Sequence, residues 1–263
     1  MINVFKSEWR KLRRPTLFLG TMLASAGLTG LVTSLLFLLI DSPQGNSKRG
    51  NLISRDILQL PSGLTLGFSN AAGLLGIVAL CVFAAQTSQE YTYGTLRNLL
   101  VRQPRRLQLL LGKYVSMASF AILMVILAAI VSMSIAFGLS GKAKVSTDAW
   151  VTSTAMHDIA KTFGNVLLSV IAFGTVGMIL GLLLRSPISS ISLGVIWLLI
   201  VENILIAVKS SLGSWMPGNL MSTIAMGGST EISYTHAISV VAIYLIVGSA
   251  IVVTLFKRRD VSN

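Results

Sequence analysis

Few side chains in this sequence are spaced to do chemistry of their own. Its 263 residues hold two histidines, one cysteine and nine acids. Zinc hydrolysis wants HExxH or a comparable cluster, and neither His157 nor His236 has one nearby. His157-Asp158 would need ligands from elsewhere and reads as a solvated pair. Cys81 sits alone in an apolar run, which leaves no disulfide framework and no cysteine-based metal site. A P-loop requires GxxxxGK[ST]; Gly112-Lys113 lacks the upstream glycine and the following hydroxyl, and Leu139-Ser140-Gly141-Lys142 is a chance tetrapeptide. There is no GxSxG and no pair of carboxylates within the apolar runs. The expectation is a chain with no catalytic residue, no metal and no bound cofactor.

Two polar features stand out. Glu202, followed by Asn203, is the one ionisable residue deep in an apolar run, where a lone carboxylate must face a cavity or a neighbouring helix. Two readings stay open for this pair: a polar lining near an outer gate, or a hydrogen bond that ties the helix to its neighbours. The second feature is residues 86–113, QTSQEYTYGTLRNLLVRQPRRLQLLLGK, with Arg97, Arg102, Arg105, Arg106 and Lys113 against the single acid Glu90. Each central Arg or Lys costs about 2.5 kcal/mol or more in a bilayer, so this stretch belongs in water or at the headgroups.

The elements that position these residues follow from hydropathy. Apolar residues make up 53% of the chain and charged ones 11%, with mean hydropathy +0.78, which predicts an all-α polytopic membrane protein forming one transmembrane domain over 1–263. Six runs are long enough to span: about 17–40, 63–85, 114–139, 164–184, 188–208 and 237–256. The first is too long for a signal-peptide core and reads as an uncleaved span. Six spans put both termini on one side, which carries fourteen of the 21 Lys and Arg; seven lie opposite, so both termini are expected in the cytoplasm. A net charge of +12 therefore reflects contact with anionic lipid rather than nucleic acid.

Residues 1–14 place Ile2, Phe5, Trp9 and Leu12 on one helical face and Lys6, Arg10 and Arg13 on the other, an amphipathic helix suited to the interface. Arg185-Ser186-Pro187 makes a tight hairpin between spans four and five, with Pro187 in the first turn of the next helix. Residues 209–236 form a long outer loop, as short helices against the outer leaflet or as plain surface chain. Small residues at four-residue spacing (Ala26, Gly30 and Ser34; Gly63, Gly67 and Ala71; Gly177 and Gly181) let helices approach closely, within the chain or across a subunit interface.

Glu90-Tyr91-x-x-Gly94-Thr95-x-Arg97, then Leu99-Leu100, Pro104-x-Arg106 and Gly112-Lys113, resembles the permeases of type-2 ABC exporters, specifically small bacterial six-span members. The layout agrees over the whole chain and the specific residues over 86–113. The resemblance implies that 86–113 carries a cytoplasmic coupling helix docking on a separate ATPase, with Glu90, Tyr91, Gly94, Thr95 and Arg97 as coupling residues. ATP and Mg would be bound by that ATPase, and a second permease copy or a sister permease would complete the pore in the inner (plasma) membrane. Gly94 permits a sharp change of direction, Glu90 offers a carboxylate to a partner, and Pro104 ends the helix. Arg105, Arg106 and Lys113 anchor the loop to headgroups. Glu90→Ala is then expected to uncouple hydrolysis from transport with folding intact. The cargo class this suggests is a drug, peptide or lipid. The rival readings are an ATPase-independent carrier or channel, which would need more ionisable residues in its spans, and an intramembrane enzyme or structural membrane subunit.

Overall fold

The computed structural model describes residues 2–40, 54–95, 99, 101 and 105–258, and among them there is no strand. Helix α1 (Ile2–Leu12) precedes α2 (Pro15–Leu38), the first span. Pro15 fits the first turn of α2 because its missing N–H would have had no intrahelical partner. After the short α3 (Arg55–Gln59), a 3₁₀ turn at Pro61–Thr65, α4 (Leu66–Asn70) and α5 (Ala72–Thr92) together make the second span. The third is α6 (Arg106–Ser140) and the fourth α7 (Ser153–Leu184). Helix α8 (Pro187–Ile196), a π-helical turn at Trp197–Val201 and α9 (Glu202–Val208) form the fifth. Helix α10 (Pro217–Met226) lies between the fifth and the sixth, α11 (Tyr234–Arg258). The protein is thus an all-α polytopic membrane protein with six apolar spans.

Three helices outrun their apolar cores. Helix α5 continues seven residues past Ala85, α6 begins eight before Tyr114, and α7 begins at Ser153 rather than near Gly164. At 1.5 Å per residue, the 35 residues of α6 reach roughly 50 Å, well beyond a ~30 Å hydrocarbon core. Backbone hydrogen bonding does not stop where the bilayer does. His157-Asp158 accordingly sits on the projecting end of α7.

Spans two and four form the tightest pair. A Cβ added at Gly177 would lie 2.2 Å from the Leu80 carbonyl oxygen, and one at Gly76 would lie 2.2 Å from the Phe173 ring. The Gly177–Gly181 stripe therefore packs within the chain, as does Gly67, which faces Thr33 of span one. Spans five and six keep most of their apolar surface outward, Leu193, Ile200, Ile204, Ile246 and Ile251 among it. The expected hairpin is present: Arg185 adopts a left-handed φ of 56° and closes α7 through its N–H to Gly181, and Pro187 starts α8.

Within residues 209–236 a 3₁₀ turn at Ser210–Ser214 and α10 form short helices, and α10 packs into the bundle. Leu220, Met221, Ile224 and Ala225 of α10 are buried, Ser169 of α7 donates to the Met221 carbonyl at 2.7 Å, and Tyr234 donates to Asn165 at 2.6 Å. At the same end, buried Trp150 meets Phe37 and Phe137 edge-on and donates its indole N–H to the Leu58 carbonyl at 2.9 Å.

Candidate functional site

At the end of the bundle that carries α1, four charged side chains from three elements close a ring. Lys113 of α6 is 2% exposed and reaches Glu90 of α5 at 2.7 Å and Glu8 of α1 at 3.0 Å. Lys11 of α1 reaches the same two carboxylates, Glu8 at 2.5 Å and Glu90 at 2.9 Å. A third N–H of Lys113 donates to the Gln86 carbonyl at 2.8 Å. Two cations against two anions leave the ring neutral, which is what permits its burial: an unpaired ion there would cost several kcal/mol.

The ring's electrostatics show in α1. Burial alone would raise the Glu8 carboxyl, yet Lys113 and Lys11 outweigh it and hold the group below the ordinary glutamate range. Burial likewise pushes Lys11 down, and Glu90 and Glu8 more than restore it, so its ammonium sits above the usual lysine range.

These positions revise several expectations. Lys113, expected at the headgroups, lies about two turns inside α6 and faces α5 and α1, where the two carboxylates compensate it. Glu90 points inward, 5% exposed, and is engaged by both lysines instead of being presented to a partner. The buried stripe of α1 is Val4, Glu8 and Leu12, whereas Ile2 is exposed and Phe5 stacks on Trp9 at 5.9 Å. An acid therefore joins Val4 and Leu12 on the stripe that faces the bundle, with Trp9 packed partly against the core beside it.

The remaining elbow residues divide. Gly94 takes a left-handed φ of 63°, two residues past the end of α5, and a Cβ there would meet nothing among the described residues. Tyr93 and Thr95 beside it are exposed. Tyr91 is half-buried, with the Arg185 guanidinium 5.6 Å above its ring, so the elbow touches the hairpin between spans four and five. Arg105 is exposed, and Arg106 donates to the Phe256 carbonyl at 2.8 Å, fastening the end of span six to the start of span three. Arg97 and Pro104 lie outside the described residues.

Glu202 belongs to the opposite end. Its two oxygens accept the backbone N–H groups of Gly218 at 3.0 Å and Asn219 at 3.1 Å, the otherwise orphaned donors of the first turn of α10. A Cβ on Gly218 would sit 2.8 Å from that carboxylate, so only glycine allows the approach. Asn203 turns back onto its own helix, donating to the Leu199 carbonyl at 3.0 Å. The geometry carries the tie to a neighbouring element, and Glu202 and Asn203 also line a cavity of about 260 Å³ with Asn70 and Asn219, so the lining reading stands beside it.

Sequence reasoning missed Glu8. The available signal was its sign: residues 1–14 hold five cations and one acid, and 86–113 holds five cations and one acid. A minority charge in a basic segment is the one most in need of a buried partner.

The fold and site define a six-span, all-helical membrane protein whose basic end is closed by a buried ion ring. The chain belongs to the family described as Protein of unknown function (DUF2705), matched over residues 57–262. It is also similar to the "Uncharacterized protein YhcI" of Bacillus subtilis (strain 168), 22% identical over 212 residues, covering 74% of this chain and 67% of that one.

Proposed function

We propose that the chain is a transmembrane permease subunit of an ATP-driven ABC exporter. It moves a hydrophobic or amphipathic cargo out of the cytoplasm by alternating access, and its energy comes from separate ATPase chains that bind ATP and Mg. Residues 86–113 act as the coupling segment, α1 lies along the inner face of the plasma membrane, both termini are cytoplasmic, and a second permease copy or a sister permease completes the pore.

The observation that carries this reading is the connection between the elbow and the spans. Helix α5 runs unbroken to Thr92, the chain turns at Gly94, and one turn back Glu90 is ion-paired to both α1 and α6. Tyr91 meets Arg185 between spans four and five, and Arg106 holds the end of span six. A displacement of the elbow would thus bear on α1 and on five of the six spans. A single push converted into rearrangement of a whole bundle is what shifting a population between inward and outward states requires.

Purification of the full chain from its host, followed by hydrolysis assays in vesicles, tests the assignment. Expected is a stoichiometric P-loop ATPase whose activity rises with cargo. An assembled complex holding no nucleotide-hydrolysing chain would refute it. Sidedness is tested with Thr95→Cys in a Cys81→Ser background: an impermeant maleimide should label inverted vesicles and spare intact cells, and the reverse pattern would overturn the topology.

A further inference from the structure

Beside the ion ring, where α1 turns into span one, a cleft of about 540 Å³ opens between α2 and the end of α5. Its lining holds several donors that meet no acceptor among the described residues. Helix α2 is 24 residues long and has no side-chain cap; Phe18 is the first residue to bond back, to the Arg14 carbonyl, which leaves the N–H groups of Thr16 and Leu17 without intrahelical acceptors. Arg14, exposed on the rim, meets no acceptor among the described residues. Gln86 lines the cleft from α5 and is 95% buried; its carbonyl is taken by Lys113, while its side-chain amide has no hydrogen-bond partner among the described residues. The side chain is buried but its amide opens onto the cleft, so an unpartnered amide beside an uncapped helix start is placed to take a ligand.

The charge decides which ligand. Glu90 also reaches the cleft, but Lys11 and Lys113 neutralise it, so Arg14 and the α2 dipole leave the site positive. The depth decides its source. Helix α2 is a span, so its first turn lies at headgroup level. From Thr16 the same helical stripe runs through Leu19 and Leu23, 57% and 71% exposed, a track for an acyl chain.

We propose that this cleft binds the phosphate of an anionic phospholipid, held by the Arg14 guanidinium, the Gln86 amide and the first N–H groups of α2. The cleft's lining includes Glu90 and Thr95 of the segment assigned to coupling, but lipid binding itself needs no ATPase. It would tie the seating of α1 and of the ion ring to the charge of the surrounding leaflet.

Thermal unfolding of the full chain in neutral detergent, titrated with phosphatidylglycerol, tests the proposal. A saturable rise in midpoint is expected, with half-saturation shifted about tenfold upward in Arg14→Gln and in Gln86→Met, the loss of one charge-assisted or buried hydrogen bond. Arg13→Gln should leave it unchanged, since Arg13 is exposed and outside the cleft. Arg14 lies outside the ring and on the surface, so an unaltered titration in Arg14→Gln counts directly against the site even if Gln86→Met misfolds. Equal weakening by Arg13→Gln would mean diffuse attraction, and an equal response to phosphatidylcholine would remove the charge requirement. A saturable response to inorganic phosphate alone would assign the cleft to a free anion. Each of these overturns the lipid proposal.

Discussion

Among the described residues, one end of the bundle buries a single carboxylate and the other buries two, and they solve the desolvation differently. Glu202 is met by two backbone N–H groups at the start of α10, donors fixed by the helix that carries them. Glu8 and Glu90 are met by lysine side chains from α1 and α6, flexible stems on separate elements. The far end is further secured by Trp150, and by Arg55, which donates to the Ala143 carbonyl at 3.1 Å. A carboxylate on a helix start makes a joint that moves as one piece. A ring of ion pairs makes a joint whose members can separate and re-form, and it lies where the proposed function needs movement.

That contrast can be broken first at Lys113. Lys113→Met leaves two buried acids facing one lysine and should cost about 3–5 kcal/mol, read as a lowered unfolding midpoint in detergent. Adding Glu90→Gln restores charge balance through Glu8 and Lys11 and should recover a large part of the loss; strict additivity of the two changes would argue against the ring. The same logic corrects the expectation for Glu90→Ala alone, which should lower stability as well as coupling, because both lysines lose an acceptor.

At the far end, Glu202→Ala should cost about 2–3 kcal/mol, with faster amide exchange confined to 217–226 and coupling to the α1 end unaltered. Exchange that spreads to α1 would show that the two ends are not separate joints. A smaller effect, about 1–2 kcal/mol, is expected for Gly218→Ala, whose new methyl would crowd Leu198 at 2.6 Å and the Glu202 carboxylate at 2.8 Å.

The weakest perturbation is pH. The Glu8 carboxyl is held low, so its contribution is present above the ordinary value of about 4.3 and disappears as pH falls through its folded pKa. The Lys11 ammonium is held high, so its contribution is complete below about 10.4 and disappears as pH rises through its folded pKa. As far as these two groups are concerned, stability should be level between those limits and fall beyond either. A midpoint that changes steeply between pH 6 and 8, and still does so with His157 and His236 replaced, would contradict the ring.

How much of this was legible beforehand differs by element. All six spans were, because twenty apolar residues in a row are a local property and lipid accepts nothing else of that length. So was the hairpin at Arg185, where a proline two residues on fixes a restart. The projecting ends of α5, α6 and α7 were not, since polar residues neither require nor forbid a continuing helix. The face of α1 was legible only in part: a count of apolar positions favoured Ile2, Phe5, Trp9 and Leu12, of which the bundle buries Leu12 and packs Trp9 partly, and it adds Val4 and Glu8.

By itself the sequence determined a six-crossing helical membrane protein with one strongly basic end, since hydropathy and charge bias act residue by residue. Only the tertiary structure decided which charges matter. Lys11 and Glu90 stand 79 positions apart and Lys113 lies 23 beyond Glu90. No spacing rule brings them together. The close packing of spans and the cost of leaving Glu90 or Lys113 buried alone do, with Lys11 closing the ring from its half-exposed rim.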